Sequence, residues 1–176
     1  MDTINISCFG AIRPLKNHLI QAMAAIEFAN LTGKKLRFHV NATRKEQGGE
    51  PILRNLVRLF EDSGHELVMV EWLEHPAFLK YIRDNIDIGM QVSFTETFNI
   101  VAADHVISDV PVLTSKEVPF THWLFQADPT CFRTMVRKLL WINRTRWLRL
   151  EWLNYRLLED YNLETIRVWR TALDHL

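Results

Sequence analysis

The first 115 residues alternate short apolar runs with longer segments of helical periodicity, and this order constrains the fold more than any other feature. The apolar runs predict strands near residues 4–9, 36–40, 66–71, 86–91 and 110–114. The periodic segments predict helices near residues 15–32, 51–63, 76–85 and 98–107. Strands that alternate with helices pair in parallel and carry helices on both faces of the sheet. The sequence therefore predicts a three-layer α/β fold with a parallel sheet.

The composition changes after residue 120. Residues 133–170 hold nine lysines and arginines but only four acids, together with four tryptophans. Apolar side chains recur there at helical spacing, at Trp141, Leu148, Trp152, Tyr155 and Leu158. A last helix is predicted from Asn162 to Ala172. We predict a single domain over residues 1–176, in which residues 121–176 form an amphipathic helical tail.

The whole-chain composition excludes several classes of protein. With 176 residues and 48% hydrophobic side chains, the chain can bury a sizeable core. Its net charge of zero gives no indication of a nucleic-acid partner. The two cysteines, Cys8 and Cys131, provide no disulfide framework, so a reducing cytoplasmic location is expected. His65, His75 and His105 share no metal-ligand spacing, and we predict no metal site. The sequence shows no signal-peptide pattern and no apolar run long enough for a membrane span.

The loop after the first strand carries two cations. Gly10 lets the backbone turn or approach a ligand closely. Arg13 and Lys16 follow at the carboxyl edge of the sheet, where parallel α/β sheets bind ligands. Two cations at this edge could neutralise a diphosphate. The alternative is a solvated basic pair, because the loop lacks the glycine patterns of dinucleotide-binding and P-loop motifs.

The segment from Ser93 to Asp104 runs from a polar strand end into an apolar helix. Glu96 lies before the helix, and Asp104 lies about 12 Å further along its axis on roughly the same face. Between them, a helix N-terminus offers free N–H groups and a positive dipole end to an anion. Two carboxylates that flank an anion site describe a pocket for a phosphorylated sugar. The alternative is a strand–turn–helix whose acids cap the helix and face solvent.

These two motifs together resemble a known family. Gly-x-x-Arg-Pro-x-Lys-Asn after the first strand and Ser-x-x-Glu-x-Phe-Asn-Ile-x-x-x-Asp, followed by Val-Pro-Val-Leu at 110–113, are similar to the C-terminal half of group 1 (family 4) GT-B glycosyltransferases. The likeness covers residues 4–115 and, more loosely, the last helix. It implies a Rossmann-like domain that binds a nucleotide-diphosphate sugar as donor substrate. It also implies transfer of the sugar with retention, without a metal or other cofactor.

The resemblance assigns catalytic roles to three residues. Lys16, assisted by Arg13, is expected to hold the donor diphosphate and to stabilise the charge on the departing nucleotide. Glu96 takes the first acidic position of the family motif and is expected to bind hexose hydroxyls.

It also assigns seven substrate-binding positions. Backbone N–H groups around the start of the fourth helix are expected to contact the sugar and the phosphate. Asp104 is expected to accept hydrogen bonds from the ribose hydroxyls. The loop after the third strand is expected to contact the base. The residues concerned are Gly10, Trp72, Leu73, Phe98, Asn99, Ile100 and Asp104.

Three positions depart from the family pattern. Ala11 stands where the family has arginine directly after the first glycine. Asp104 replaces a glutamate and is one methylene shorter. Asp109 replaces the glycine before the fifth strand, and we expect it to require a backbone conformation that differs from that of glycine.

A whole GT-B enzyme has a further Rossmann-like domain upstream, which supplies the acceptor site. The resemblance therefore implies an N-terminal acceptor domain, or a partner chain, that docks on the helical tail, and the isolated domain is expected to be inactive. A less favoured alternative makes the tail a basic-aromatic surface for a membrane or a nucleic acid. For the whole chain, a nucleic-acid partner is not expected and a membrane surface is not favoured. For the function, the alternative is a non-catalytic nucleotide-sugar binding or scaffolding module. A flavodoxin-like signalling domain is disfavoured, because it predicts acids where Arg13 and Lys16 stand.

Overall fold

Five parallel strands and six α-helices make up residues 2–174, which are the part of the chain that the computed structural model describes. The strands are β1 (Thr3–Cys8), β2 (Lys35–Asn41), β3 (Glu66–Val70), β4 (Ile88–Gln91) and β5 (Val112–Thr114). The helices are α1 (His18–Thr32), α2 (Gly49–Glu61), α3 (His75–Asn85), α4 (Ile100–Ile107), α5 (Phe132–Thr145) and α6 (Trp152–Leu173). No helix in this part of the chain has the length and apolar character needed to cross a membrane.

The strand order in the sheet is β3-β2-β1-β4-β5, and every neighbouring pair is parallel. The chain changes direction across the sheet between β1 and β4. Doubly wound sheets have a crevice at this point, beyond the carboxyl ends of the two strands. The topology therefore brings the loop after β1 next to the segment after β4, and the predicted Rossmann-like fold is confirmed.

Helices cover both faces of the sheet. On one face, α1, α2 and α5 bury Phe28, Leu56 and Leu139 against the strands. On the other face, α4 and α6 enclose a cluster that includes Phe120 and Leu158, and α3 packs its side chains in a further cluster. The three-layer arrangement follows from apolar surfaces on both sides of a parallel sheet.

Helix α4 lies unusually close to the sheet. Its His105 imidazole is fully buried, donates from Nδ1 to the carbonyl oxygen of Val101 at 2.7 Å and accepts at Nε2 from the Ser7 hydroxyl at 2.7 Å. A Cβ atom on Gly89 would lie only 2.4 Å from this ring. Gly89 thus permits the close approach that fixes α4, whose N-terminus points to the crevice.

Two helices begin later than predicted. Helix α1 starts at His18 because residues 14–16 form a 3₁₀ turn and Asn17 adopts φ +60°. Helix α4 starts at Ile100 because Asn99 caps it, with Oδ1 accepting from the Ala102 N–H at 2.9 Å. Both corrections concern residues at the crevice.

The helical tail also differs from the prediction. The residues at helical spacing between 141 and 158 are divided between two helices, because α5 ends at Thr145 and Arg149 adopts φ +51° after a 3₁₀ turn. The last helix begins at Trp152, ten residues before the predicted Asn162. Helix α5 belongs to the core of the domain, whereas every residue from 162 to 174 is exposed.

Asp109 contradicts the expectation that it requires a backbone conformation that differs from that of glycine. Its φ is +61°, in the left-handed region that glycine favours. Aspartate tolerates this region better than most residues. Its carboxylate pairs with the Arg149 guanidinium, so the turn before β5 keeps the shape that a glycine would give it.

Candidate functional site

A cavity of about 560 Å³ opens at the carboxyl ends of β1 and β4. Its walls are the loop after β1, the loops after β2 and β3, and the start of α4. All ten residues predicted from the sequence line it: Gly10, Arg13, Lys16, Trp72, Leu73, Glu96, Phe98, Asn99, Ile100 and Asp104. The structure thus brings the predicted residues together, while their contacts with a bound substrate stay predictions.

A second cavity, of about 920 Å³, lies between the start of α5 and the residues around Trp123. None of the ten predicted residues lines it. We take the smaller cavity as the site, because it lies at the crevice of the sheet and contains buried charges.

Lys16 and Glu96 form an ion pair in the floor of the cavity. The 3₁₀ turn that ends at Lys16 carries its side chain inward, so that 10% of the Lys16 side chain and 5% of the Glu96 side chain are exposed. Asn99 Nδ2 donates to the same Glu96 oxygen at 3.1 Å. The predicted phosphate-binding cation and the predicted hexose-binding carboxylate are therefore in direct contact.

Asn99 holds the start of α4 in place. Besides capping the helix with its oxygen, it donates from Nδ2 to Gln91 Oε1 at 3.0 Å. Its side chain is thus used within the protein. The backbone N–H groups of Ile100 and Val101 have no hydrogen-bond partner within residues 2–174, and they form the positive end of α4 at the cavity. This end of the helix is suited to an anion.

Gly10 and Arg13 complete the wall formed by the loop after β1. Gly10 adopts φ +104°, a conformation that strains other residues, and donates its N–H to Asn41 Oδ1 at 2.9 Å. Arg13 Nε is buried and has no hydrogen-bond partner in the described part of the chain. Ala11, which departs from the family pattern, lines the same wall. Arg13 is therefore the guanidinium of this loop that lines the cavity, and its contact with a ligand stays a prediction.

Asp104 also lines the cavity and is 5% exposed. His75 Nε2 donates to Asp104 Oδ1 at 2.9 Å. Burial raises the pKa of the Asp104 carboxyl, and the hydrogen bond from His75 acts in the opposite direction. His75 was not predicted as a site residue, because the packing of α3 against α4 has no local sequence signal.

The part of the cavity formed by the loops after β2 and β3 contains an aromatic side chain with a cation beside it. Trp72 is 62% exposed, and the Arg44 guanidinium carbon lies 5.9 Å from its ring centroid. Arg44 Nε donates to Glu46 Oε1 at 2.6 Å. Neither Arg44 nor Glu46 was predicted. The available signal was their position in the loop after β2, which shares its sheet edge with β1.

Phe98 joins the site to the tail. Its ring lies 5.1 Å from the Phe120 centroid and 5.8 Å from that of Tyr161 in α6, while the side chain stays 39% exposed. Within residues 2–174, no group of three or more His, Cys, Asp or Glu side chains is arranged to hold a metal ion.

No protein-family model matches the sequence, and no curated protein matches it. Solved structures do match. OtsA aligns with a TM-score of 0.72 at 14% identity, over 90% of this chain and 40% of that chain. The C-terminal domain of the group 1 glycosyl transferase LpcC from Francisella tularensis aligns with a TM-score of 0.72 at 17% identity, over 89% of this chain and 85% of that chain. The chain has the fold of a GT-B C-terminal domain.

The resemblance inferred from the two loop motifs is thus confirmed at the level of the fold. A UDP-forming trehalose-phosphate synthase from Burkholderia xenovorans also aligns, with a TM-score of 0.72 at 13% identity over 97% of this chain. This GT-B-like chain spans 43% of that synthase and 40% of OtsA, so it corresponds to less than half of either protein.

Proposed function

We propose that the chain is the donor-binding domain of a glycosyltransferase, which transfers a sugar from a nucleotide-diphosphate sugar with retention. The observation that carries the proposal is one cavity that is lined by the Lys16–Glu96 pair, the N-terminus of α4 and Asp104. Cation and N–H groups suit a diphosphate, and carboxylates on either side suit the hydroxyls of a hexose and a ribose.

The proposed chemistry depends on charge that develops as the nucleotide leaves. When the bond between the sugar and the diphosphate breaks, negative charge grows on the leaving phosphate oxygen. Lys16, Arg13 and the positive end of α4 stabilise that charge from fixed positions. Binding of the donor moves the Lys16 ammonium from Glu96 to the phosphate. Glu96 is then free to accept hydrogen bonds from the hexose hydroxyls. The nucleotide sugar is a substrate here, and we propose no separate cofactor.

The simplest test is calorimetric titration of the purified domain with UDP and with GDP, each with and without Mg²⁺. We expect binding of one molecule per chain and the same dissociation constant with and without the metal. UDP is the first choice, because the neighbours include a UDP-forming enzyme and an E. coli structure bound with UDP-2-fluoro glucose. Pyrophosphate and uridine serve as part-ligand controls. Failure of both nucleotides to bind at millimolar concentration would contradict the proposal.

A second candidate is a binding or scaffolding module without catalysis. The specific observation in its favour is Ala11, which lines the cavity where the family pattern has arginine directly after the first glycine. Less cationic charge at this wall reduces stabilisation of the leaving group more than it reduces binding of the ground state. Nucleotide-sugar binding without hydrolysis or transfer, in the presence of the complete partner, would favour this candidate.

We further propose that the exposed end of α6 docks on an N-terminal acceptor domain or partner chain. Every residue of the helix from 162 to 173 is exposed, although this part of the helix carries several large apolar side chains. These are Leu163, Ile166, Val168, Trp169 and Leu173, all at least 48% exposed. The helix balances Arg156, Arg167 and Arg170 against Glu159, Asp160 and Glu164. A balanced charge favours a protein partner over an anionic membrane or a nucleic acid.

For this surface we expect the isolated domain to self-associate in a way that salt does not weaken. Sedimentation velocity across a series of salt concentrations measures this, with Trp169→Ser reducing association and Arg167→Ser serving as the control on the same helix. Anionic vesicles and single-stranded RNA are added as competitors. Tight, salt-sensitive binding of a monomer to either competitor would rule out the docking surface, because screening weakens electrostatic binding.

A further inference from the structure

Asp104 is a buried carboxylate with a single side-chain partner. Its side chain is 7% exposed, and within residues 2–174 only His75 donates a side-chain hydrogen bond to it. That bond uses Oδ1, while Oδ2 takes part in no hydrogen bond within residues 2–174, and Asp104 lines the cavity. Since a buried carboxylate without partners is costly, His75 both stabilises the group and fixes its orientation.

His75 occupies a position that suits this task. It is the first residue of α3, directly after the loop that carries Trp72, and Pro76 fixes the backbone at the start of the helix. Its side chain is 59% exposed and lines the same cavity. The imidazole therefore bridges the proposed base position and Asp104 on α4. Because Nε2 donates to Asp104, the neutral ring keeps Nδ1 as an acceptor.

We propose that His75 is a positioning residue that holds Asp104 for recognition of the ribose hydroxyls. This inference rests on the proposed donor site. In the arrangement that we infer, Oδ1 is held by His75 and Oδ2 accepts from a ribose hydroxyl. Aspartate is one methylene shorter than the glutamate of the family pattern, so its reach depends on the rotamer that the hydrogen bond from His75 selects.

The test compares His75→Ala and His75→Gln with the wild-type domain. The ligands are UDP or GDP, whichever binds more tightly, the 2′,3′-dideoxy form of the same nucleotide, and pyrophosphate. We expect His75→Ala to weaken binding of the ribonucleotide about tenfold. A tenfold change corresponds to about 1.4 kcal/mol of binding free energy, which is the usual size of one hydrogen bond. Binding of the dideoxy nucleotide and of pyrophosphate should not change. His75→Gln can still donate an N–H to Asp104 and should restore most of the loss.

Lys80→Gln is the matched control, because Lys80 lies on the same helix and pairs with Asp84 away from the cavity. It should bind all three ligands like the wild type. Equal ribonucleotide affinity in His75→Ala and wild type would overturn the inference. A uniform loss for all three ligands would also overturn it, since that pattern reports a displaced helix α3. If the wild-type domain binds no nucleotide at all, the proposed function itself fails, and this is visible without any variant.

Discussion

Replacing Lys16 with methionine is expected to weaken binding of a nucleoside diphosphate about ten- to a hundredfold. The change removes one charge-assisted hydrogen bond to phosphate, which is worth about 1.5–3 kcal/mol. It should also destabilise the fold, because it leaves the Glu96 carboxyl without its cationic partner while only 5% of the Glu96 side chain is exposed. Removing one partner of a buried pair typically costs about 3–5 kcal/mol. Calorimetry with UDP or GDP measures the affinity, and urea unfolding measures the stability.

The double variant Lys16→Met, Glu96→Gln separates the two effects. It has no unpaired buried charge, so most of the lost stability should return, while the affinity for the diphosphate should stay low. Glu96→Gln alone should bind UDP or GDP at least as tightly as the wild type, because Lys16 no longer pairs with a carboxylate. A wild-type dissociation constant in Lys16→Met would show that the diphosphate does not lie at the end of β1.

The sequence was sufficient to predict that the ten candidate residues lie together in one cavity, because they belong to short motifs that follow buried strands. The rules for parallel sheets place the ends of β1 and β4 side by side, and the two motifs then meet without any further information. The strand order confirms this placement. The sequence also contains a local signal for the start of α4, because Asn99 is a preferred N-cap residue and stands directly before an apolar run. The prediction nevertheless started this helix at residue 98.

His75 and Arg44 could not be found in the same way. His75 enters the site through the packing of α3 against α4, which has no local sequence signal. Arg44 follows β2 at the same sheet edge, but no motif in its loop marked it, and its contact with Trp72 joins two loops that are distant in sequence. The break between α5 and α6 could not be predicted from the sequence for a different reason. Arg149 adopts the left-handed conformation there, so no glycine or proline marks the break, and the apolar spacing continues across it.

The free energy of unfolding is expected to fall steeply as the pH drops below 6.5. His18, His39 and His105 are each buried, and burial lowers the pKa of each imidazole to about 4. The positive charges of Lys16 and Arg13 lower the pKa of His18 further, and the positive charge of Arg37 lowers the pKa of His39 further.

The direction of this pH dependence follows from the different pKa values of the histidines in the folded and the unfolded chain. The unfolded chain takes up protons near pH 6.5, whereas the folded chain takes them up only near pH 4, so stability is lost through this window and the loss is complete below it. At pH 5 the loss is about 2 kcal/mol for each of the two most deeply buried imidazoles, those of His18 and His105. The raised pKa of Asp104 acts in the opposite direction but concerns a single carboxyl group.

His18→Leu provides the matched control for the pH dependence. Neither ring nitrogen of His18 has a hydrogen-bond partner within residues 2–174, and the side chain is 1% exposed. Leucine removes the titrating group without removing a hydrogen bond, so stability at pH 7.5 should hold or rise. Urea unfolding between pH 7.5 and 4.5 should show the slope reduced by up to about 1.4 kcal/mol per pH unit. An identical slope in the variant and the wild type would show that His18 takes up its proton equally in both states, which is incompatible with its buried position.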